Sequence, residues 1–316
     1  MATYTMLLQE KPQSADIPEF CESGFFFNEL SHLQQQQDGQ FHLLTALNQT
    51  TRQADARCAF FVRSNEAVSP GAAPFGSIEF TEKLPDSILD EFLDTLTESV
   101  RATATTTFRV VNYPHCYAPG QARRLTRKLF RHGFRVVETN QNFFLPVSNQ
   151  NFVNLIEPEQ RRRLNKCQNA DFQFSQWKRP SITEVVDFLR ETRQQQGYRL
   201  TLSPERLTEL LQNFPDQFLI FVVTDGANLA ALTVAVRVRH DILYNFMPAS
   251  HPNYRTFSPM VMLTDGLYTY CQQQGIRLLD LGVSLDSNHC PKPSLMRFKL
   301  NLGAVTSPKL IFEKAL

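Results

Sequence analysis

The sequence predicts an α/β protein of two tandem units, each a mixed central sheet flanked by helices. Three observations predict it. Short β-rich runs alternate with segments whose apolar residues recur at helical spacing. The chain has 316 residues, enough for about two domains. The order of elements also repeats, each half reading three strands, helix, strand, helix, strand. Gly133 before FRVV and Gly303 before AVTS hold the same place in the two orders. The halves divide as 1–150 and 151–316. Residue identity between them is low, so the duplication rests on element order.

Composition narrows the class. Apolar residues make up 42% and include 26 phenylalanines, so each half can build a core. The net charge of +1 argues against a field suited to nucleic acid over the whole surface. No run reaches the ~18 apolar residues a spanning helix needs. The opening MATYTMLLQEKPQ has no apolar leader. The expectation is a soluble cytoplasmic protein without membrane insertion. Six cysteines lie scattered without CxxC spacing, which suits reduced thiols.

Residues 1–38 read as irregular and end in the polar run 34–39. Strand-like runs follow at 41–47, 57–68 and 75–80. A helix starts near Ser87, with Ile88, Leu89, Phe92, Leu93, Leu96 and Val100 on one stripe; Asp86 or Ser87 would cap it. A strand at 107–112 leads through a turn to a basic helix at 121–132. Gly133 ends that helix, and a strand at 134–147 closes the half. Residues 148–157 read as a linker.

The second half opens with a helix at 157–168 carrying Arg161, Arg162, Arg163 and Lys166. An exposed basic face explains these more simply than nucleic-acid contact. A short strand at 172–175 precedes helices at 181–196 and 203–213. Ser181 and Ser203 are their N-caps, and Ser181 with Glu184 has capping-box spacing. Strands follow at 218–224, 229–238 and 242–246, the first two joined by the hairpin signal DGAN. A polar loop at 248–259 enters a helix at 260–274. The last forty residues give a strand at 276–281 between Gly275 and Gly282, a helix at 293–302 and a β segment at 304–312. That helix has proline near its start and Gly303 past its end. The loop after Asp280 leaves the carboxyl end of a buried strand, where α/β proteins commonly bind ligands.

LLDLGVS followed by SLMRFKLNLGA places Asp280, Gly282, Arg297, Phe298, Lys299 and Gly303 in one pattern. It resembles that of Fem-type peptidoglycan aminoacyltransferases, within the GNAT superfamily of acyltransferases. RRRLNKCQNADFQF resembles the basic helix that opens the second unit in that group, and SPGAAPFGSIEF is similar to a first-unit segment of GNAT-like proteins. The resemblance implies two GNAT-like units in a bacterial transferase that moves an acyl group to an amine. The second unit would carry the active cleft. The first, degenerate, would wall it or present the acceptor. The donor would be acyl-CoA or aminoacyl-tRNA, and the acceptor a small-molecule or peptidoglycan-precursor amine. Two departures stand out. GNAT enzymes hold the donor pyrophosphate on a Gln/Arg-x-x-Gly-x-Gly/Ala loop at a helix N-terminus, whereas NYRTFSPM at 253–260 has no glycine. No long heptad hairpin stands in the second unit, so tRNA is possible but not favoured.

Acyl transfer to an amine needs a polarised carbonyl, a deprotonated amine and a protonated leaving group. A backbone amide can polarise the carbonyl, so no triad need be visible. The catalytic candidates are Lys299, Asp280 and Tyr244. Donor-binding candidates are Tyr254, Arg255, Ser258, Arg297 and Lys299. Each has a plainer reading. Lys299 and Arg297 suit a carboxylate or phosphate, or a solvated helix face. Asp280 in an apolar strand needs a partner, and Arg297 or Lys299 would serve. Tyr244 and Asn245 line a pocket or fill a core. Turn chemistry explains Tyr254, Arg255 and Ser258. His115–Cys116 and His289–Cys290 are adjacent pairs, and strand neighbours point to opposite faces. No metal-ligand set is predicted. The alternative function is a non-catalytic binding scaffold that has lost its donor site.

Overall fold

Runs of aromatic and β-branched residues pair here as strands, and stripes at helical spacing pack over them. The computed structural model describes residues 3–13, 17–36, 39–195, 197, 200–286 and 288–316. The chain divides into two compact units, Met1–Asn140 with Ser307–Leu316, and Gln141–Thr306.

The first unit contains β1 (Tyr4–Glu10), α1 (Leu30–Leu33), β2 (Gln40–Asn48), β3 (Ala54–Arg63), β4 (Glu66–Ser69), β5 (Glu79–Phe80), α2 (Asp86–Arg101), β6 (Thr107–Val111) and α3 (Pro119–Arg131). The chain leaves it within β7 (Arg135–Pro146) and returns within β13 (Val305–Ala315). Its strand order is β1-β2-β3-β4-β6-β13, with β5 on β3. The second unit contains α4 (Pro158–Asn169), β8 (Gln173–Gln176), α5 (Ile182–Gln195), α6 (Pro204–Asn213), β9 (Phe218–Asp225), β10 (Asn228–Arg239), β11 (Ile242–Ser250), α7 (Pro259–Gln273), β12 (Leu278–Val283) and α8 (Pro293–Asn301). Its order is β7-β12-β11-β10-β9-β8.

The predicted duplication is visible in the hydrogen bonding. β4 and β6 pair in parallel across α2, and β11 and β12 pair in parallel across α7. The final strands are exchanged: β7 pairs with β12, and β13 with β6, both antiparallel. The compact units therefore divide inside β7 and β13, which a linear cut at residue 150 does not express. Gly133 and Gly303 end α3 and α8 with φ of +83° and +82°, the left-handed conformation glycine adopts most cheaply.

Several sequence expectations need correction. Residues 4–10 are not irregular: they form β1, in a ladder with β2 from Tyr4↔Asn48 to Glu10↔His42. The run 57–68 is a hairpin, with Ser64 turning in the left-handed region at φ +46°. Only Glu79 and Phe80 of 75–80 form a strand. Neither Asp86 nor Ser87 caps α2, whose N-cap is Pro85; Asp86 accepts from Arg124 at 2.6 Å instead. The stretch 148–157 is more than a linker, because Phe152 and Ile156 are buried in the second core. β11 runs on to Ser250, paired with Ala231. Residues 37 and 38 of the polar run, and residue 196 at the end of one expected helix, lie outside the described residues.

The α2 stripe buries Leu89, Phe92, Leu93, Leu96 and Val100 in the first core. Its Asp86, Asp90 and Asp94 face Arg124 and Lys128 of α3 and its C-cap His132, with contacts of 2.6, 2.6 and 2.9 Å. Both sets recur every four residues, so one face of each helix matches the other along its length. In the second unit α7 packs closely on the sheet. A Cβ at Gly266 would lie 2.3 Å from ring atoms of Phe174. No described helix is long and apolar enough to cross a membrane.

Gly266→Ala is expected to lower stability by about 1–3 kcal/mol through overpacking. Gly120→Ala, where a Cβ would meet nothing within 4 Å, should raise it by about 0.4–1 kcal/mol. Urea denaturation midpoints of the two variants check both signs.

Candidate active site

β12 is apolar except for Asp280, and its pairing fixes what that carboxylate does. Its parallel ladder with β11 has three residue pairs, ending at Tyr244↔Asp280. β11 continues to Ser250 and β12 to Val283, so the two strands part beyond that pair. On its other edge β12 stays with β7 as far as Val283↔Asn142, with a bulge between Asp280 and Gly282. Gly282 takes φ +70° there, and a Cβ on it would come within 3.0 Å of the Tyr244 ring. Only glycine meets both demands.

The polar groups gather around this bulge. Asp280 is 2% exposed. Its Oδ1 accepts from the Asn142 amide and from the Gly282 N–H, each at 2.7 Å. Lys299 reaches in from α8 and is buried. Its Nζ donates to the carbonyls of Gly282 at 3.0 Å and Val283 at 2.8 Å, and stands 5.4 Å from the Phe143 ring centroid. Burial lowers the ammonium pKa to about 8, against the opposing pull of the Asp280 charge. Burial, and then the same charge, raise the Tyr244 phenol. Lys299, Asp280 and Tyr244 are thus brought together. Arg297, two residues earlier, faces solvent, because two helical residues differ by about 200° around the axis.

The donor-binding candidates before α7 have other engagements. Tyr254 packs edge-on to Phe172 at 5.6 Å; its phenol is raised by burial and by a hydrogen bond to Asp225. Arg255 is exposed. Ser258 enters α7 in the left-handed region at φ +58°, ahead of Pro259. The amides of Phe257 and Ser258 both donate to the Tyr254 carbonyl, at 3.0 and 3.1 Å. The carbonyls of Thr256 and Phe257 accept from Lys166 at 2.9 Å and Cys167 at 3.3 Å on α4. Phe257 lies between Phe172 and the Lys166 ammonium. The loop is a self-bonded turn clamped to α4. Asn245 is also engaged, accepting from the Thr233 hydroxyl at 2.6 Å.

Sequence reasoning missed Asn142. It comes from β7, and only the strand exchange places it beside Asp280. In the first unit the equivalent parallel ladder ends at Ser69↔Val110. There the chain itself follows on: Gly76 N–H donates to the Val111 carbonyl at 3.1 Å, and the Ser77 hydroxyl to Asn112 at 2.7 Å. Among the described residues no group of three or more His, Cys, Asp or Glu is placed to hold a metal ion.

Two outcomes follow from this geometry. Asp280→Ala should cost about 1–3 kcal/mol for each buried donor it strands, the Asn142 amide and the Gly282 N–H; chemical denaturation measures it. Lys299 has an ordinary pKa of 10.5 and a folded one of about 8. Between those values the unfolded chain binds more protons, so stability should rise with pH, by on the order of 3 kcal/mol across the window. Urea midpoints taken either side of that window should show the rise in the native chain and its absence in Lys299→Met.

Comparison with known proteins agrees with this architecture. A family model described as an acetyltransferase (GNAT) domain matches residues 159–291. No curated protein matches the sequence. Among solved structures, FemX is 11% identical, covers 93% of each chain and has a TM-score of 0.71. L-PGS from Bacillus licheniformis is 13% identical over 91% of this chain and 87% of its own, with a TM-score of 0.57. A tandem GNAT protein from the clavulanic acid biosynthesis pathway is 11% identical over 87% and 82%, with a TM-score of 0.53. At such identities the likeness is one of fold, and that fold is the GNAT acyltransferase fold in its tandem, Fem-like form.

Proposed function

We propose that this protein transfers an activated acyl group to an amine acceptor, at the opening between β11 and β12. The parting of the two strands beyond Tyr244 and Asp280 carries the reading. Past that point β11 is laddered to β10 and turns its other edge to the opening. Main-chain amides on such an edge would polarise an acyl carbonyl as its oxyanion develops. Lys299 and Asp280 would keep the β12 side of the opening rigid, and Tyr244 would border the reacting group. The first unit, with Gly76 and Ser77 bonded at the equivalent place, would not bind the donor.

The acyl-CoA and aminoacyl-tRNA donors make different demands. A pyrophosphate needs amides turned outward at the start of α7, and those of Phe257 and Ser258 are bonded within the turn. That reverses the preference read from the sequence and favours an aminoacyl ester over a thioester of coenzyme A. The same turn, filled by Phe257 against Phe172, also supports the second reading, a scaffold that binds without chemistry.

Thermal shift with coenzyme A, acetyl-CoA and longer acyl-CoAs separates these. A thioester donor at 100 times its Kd should stabilise by about 2.7 kcal/mol, roughly 5–11 °C at 2–4 °C per kcal/mol. The expected result is no shift with thioesters and transfer to amines from charged tRNA. A thioester shift would identify a coenzyme A enzyme instead. Absence of both would leave the scaffold.

A further inference from the structure

Helix α3 (PGQARRLTRKLFR) holds five basic and no acidic residues. Two of the five, Arg124 and Lys128, are neutralised by Asp86 and Asp90 of α2. The other three, Arg123, Arg127 and Arg131, are exposed, and no acidic partner is recorded for them among the described residues. They recur every four residues and so share one face, spanning about 12 Å along the axis. Phe130 falls on that face and is 51% exposed. The buried face of α3 carries Ala122, Leu125 and Leu129, so packing requires none of the three arginines; the Phe130 ring meets the buried Phe312 edge-on at 5.9 Å and keeps about half of its surface exposed.

We propose that this face of α3 is a docking surface for an anionic phospholipid bilayer. A straight row of guanidinium groups on a convex helix can meet a plane of phosphates all at once. A single-stranded nucleic acid is usually held in a groove with several stacking rings, and this face presents the one exposed ring of Phe130. A half-exposed phenylalanine between arginines finds apolar surroundings just beneath lipid headgroups. The whole-chain charge of +1 hides this surface, because the α2 acids offset the inner row and leave the outer one.

The test is co-sedimentation of the full chain with phosphatidylcholine vesicles, with and without phosphatidylglycerol. Binding should require phosphatidylglycerol and weaken as salt rises. Each Arg→Gln change at 123, 127 or 131 should weaken it about 5-fold, and the triple variant on the order of 100-fold. Phe130→Ser should weaken binding several-fold while leaving its salt dependence unchanged. The three arginines are exposed, so thermal melts of their variants should match the native chain and exclude misfolding; Phe130→Ser also loses the Phe312 contact, so its vesicle binding is compared well below its own melting temperature. Equal binding by the triple variant would overturn the proposal. So would a chain that ignores both vesicles yet binds a short RNA through the same arginines.

Discussion

The second unit depends on the antiparallel ladder between β12 and β7. β12 has β11 beside it for only three residue pairs, so β7 supplies the lasting partner. The bulge in that ladder turns Gly282 into the left-handed region and brings its N–H to the Asp280 carboxylate. It also sets Asn142 opposite Val283, from where its amide reaches the same oxygen. Remove β7 and the carboxylate would lose a hydrogen bond, the bulge and part of its shelter together.

A buried ammonium must find oxygen acceptors, and Lys299 finds them in the last two carbonyls of β12. The contact works in both directions. The carbonyls of a strand that has parted from its neighbour need donors, and the lysine provides them. Helix α8, a short element with an exposed outer side, is thereby tied to the edge where the strands separate. Rigidity at that edge is what a preorganised site requires of its frame.

Much of this fold was legible in the sequence, for local reasons. The α2 stripe, the glycines closing α3 and α8, the proline opening α8 and the repeated element order all express spacing or backbone preference. The GNAT-type fold expected from the LLDLGVS and RFK segments agrees with the structural likenesses. What escaped depends on distant pairing. YTMLLQE alternates weakly in burial and becomes a strand because β2 offers it an edge. Asn142 gains meaning only from strand exchange. The split between Lys299 and Arg297 follows from helix geometry, but which one turns inward is decided by where α8 docks. The loop at 253–260 showed its lack of glycine in the sequence. That its amides bond to Tyr254 and its carbonyls to α4 needed the tertiary structure.

The exchange of final strands also orders events during synthesis. Domains usually fold as they emerge from the ribosome, the N-terminal one first. Here the strand that covers β6 belongs to residues 305–315, so the first unit stays incomplete until those residues have been made. Until then β6 presents an unpaired edge, the kind of surface on which chains pair wrongly with one another. A nascent chain of this design gains from having that edge shielded, and a product cut short before β13 would retain it permanently.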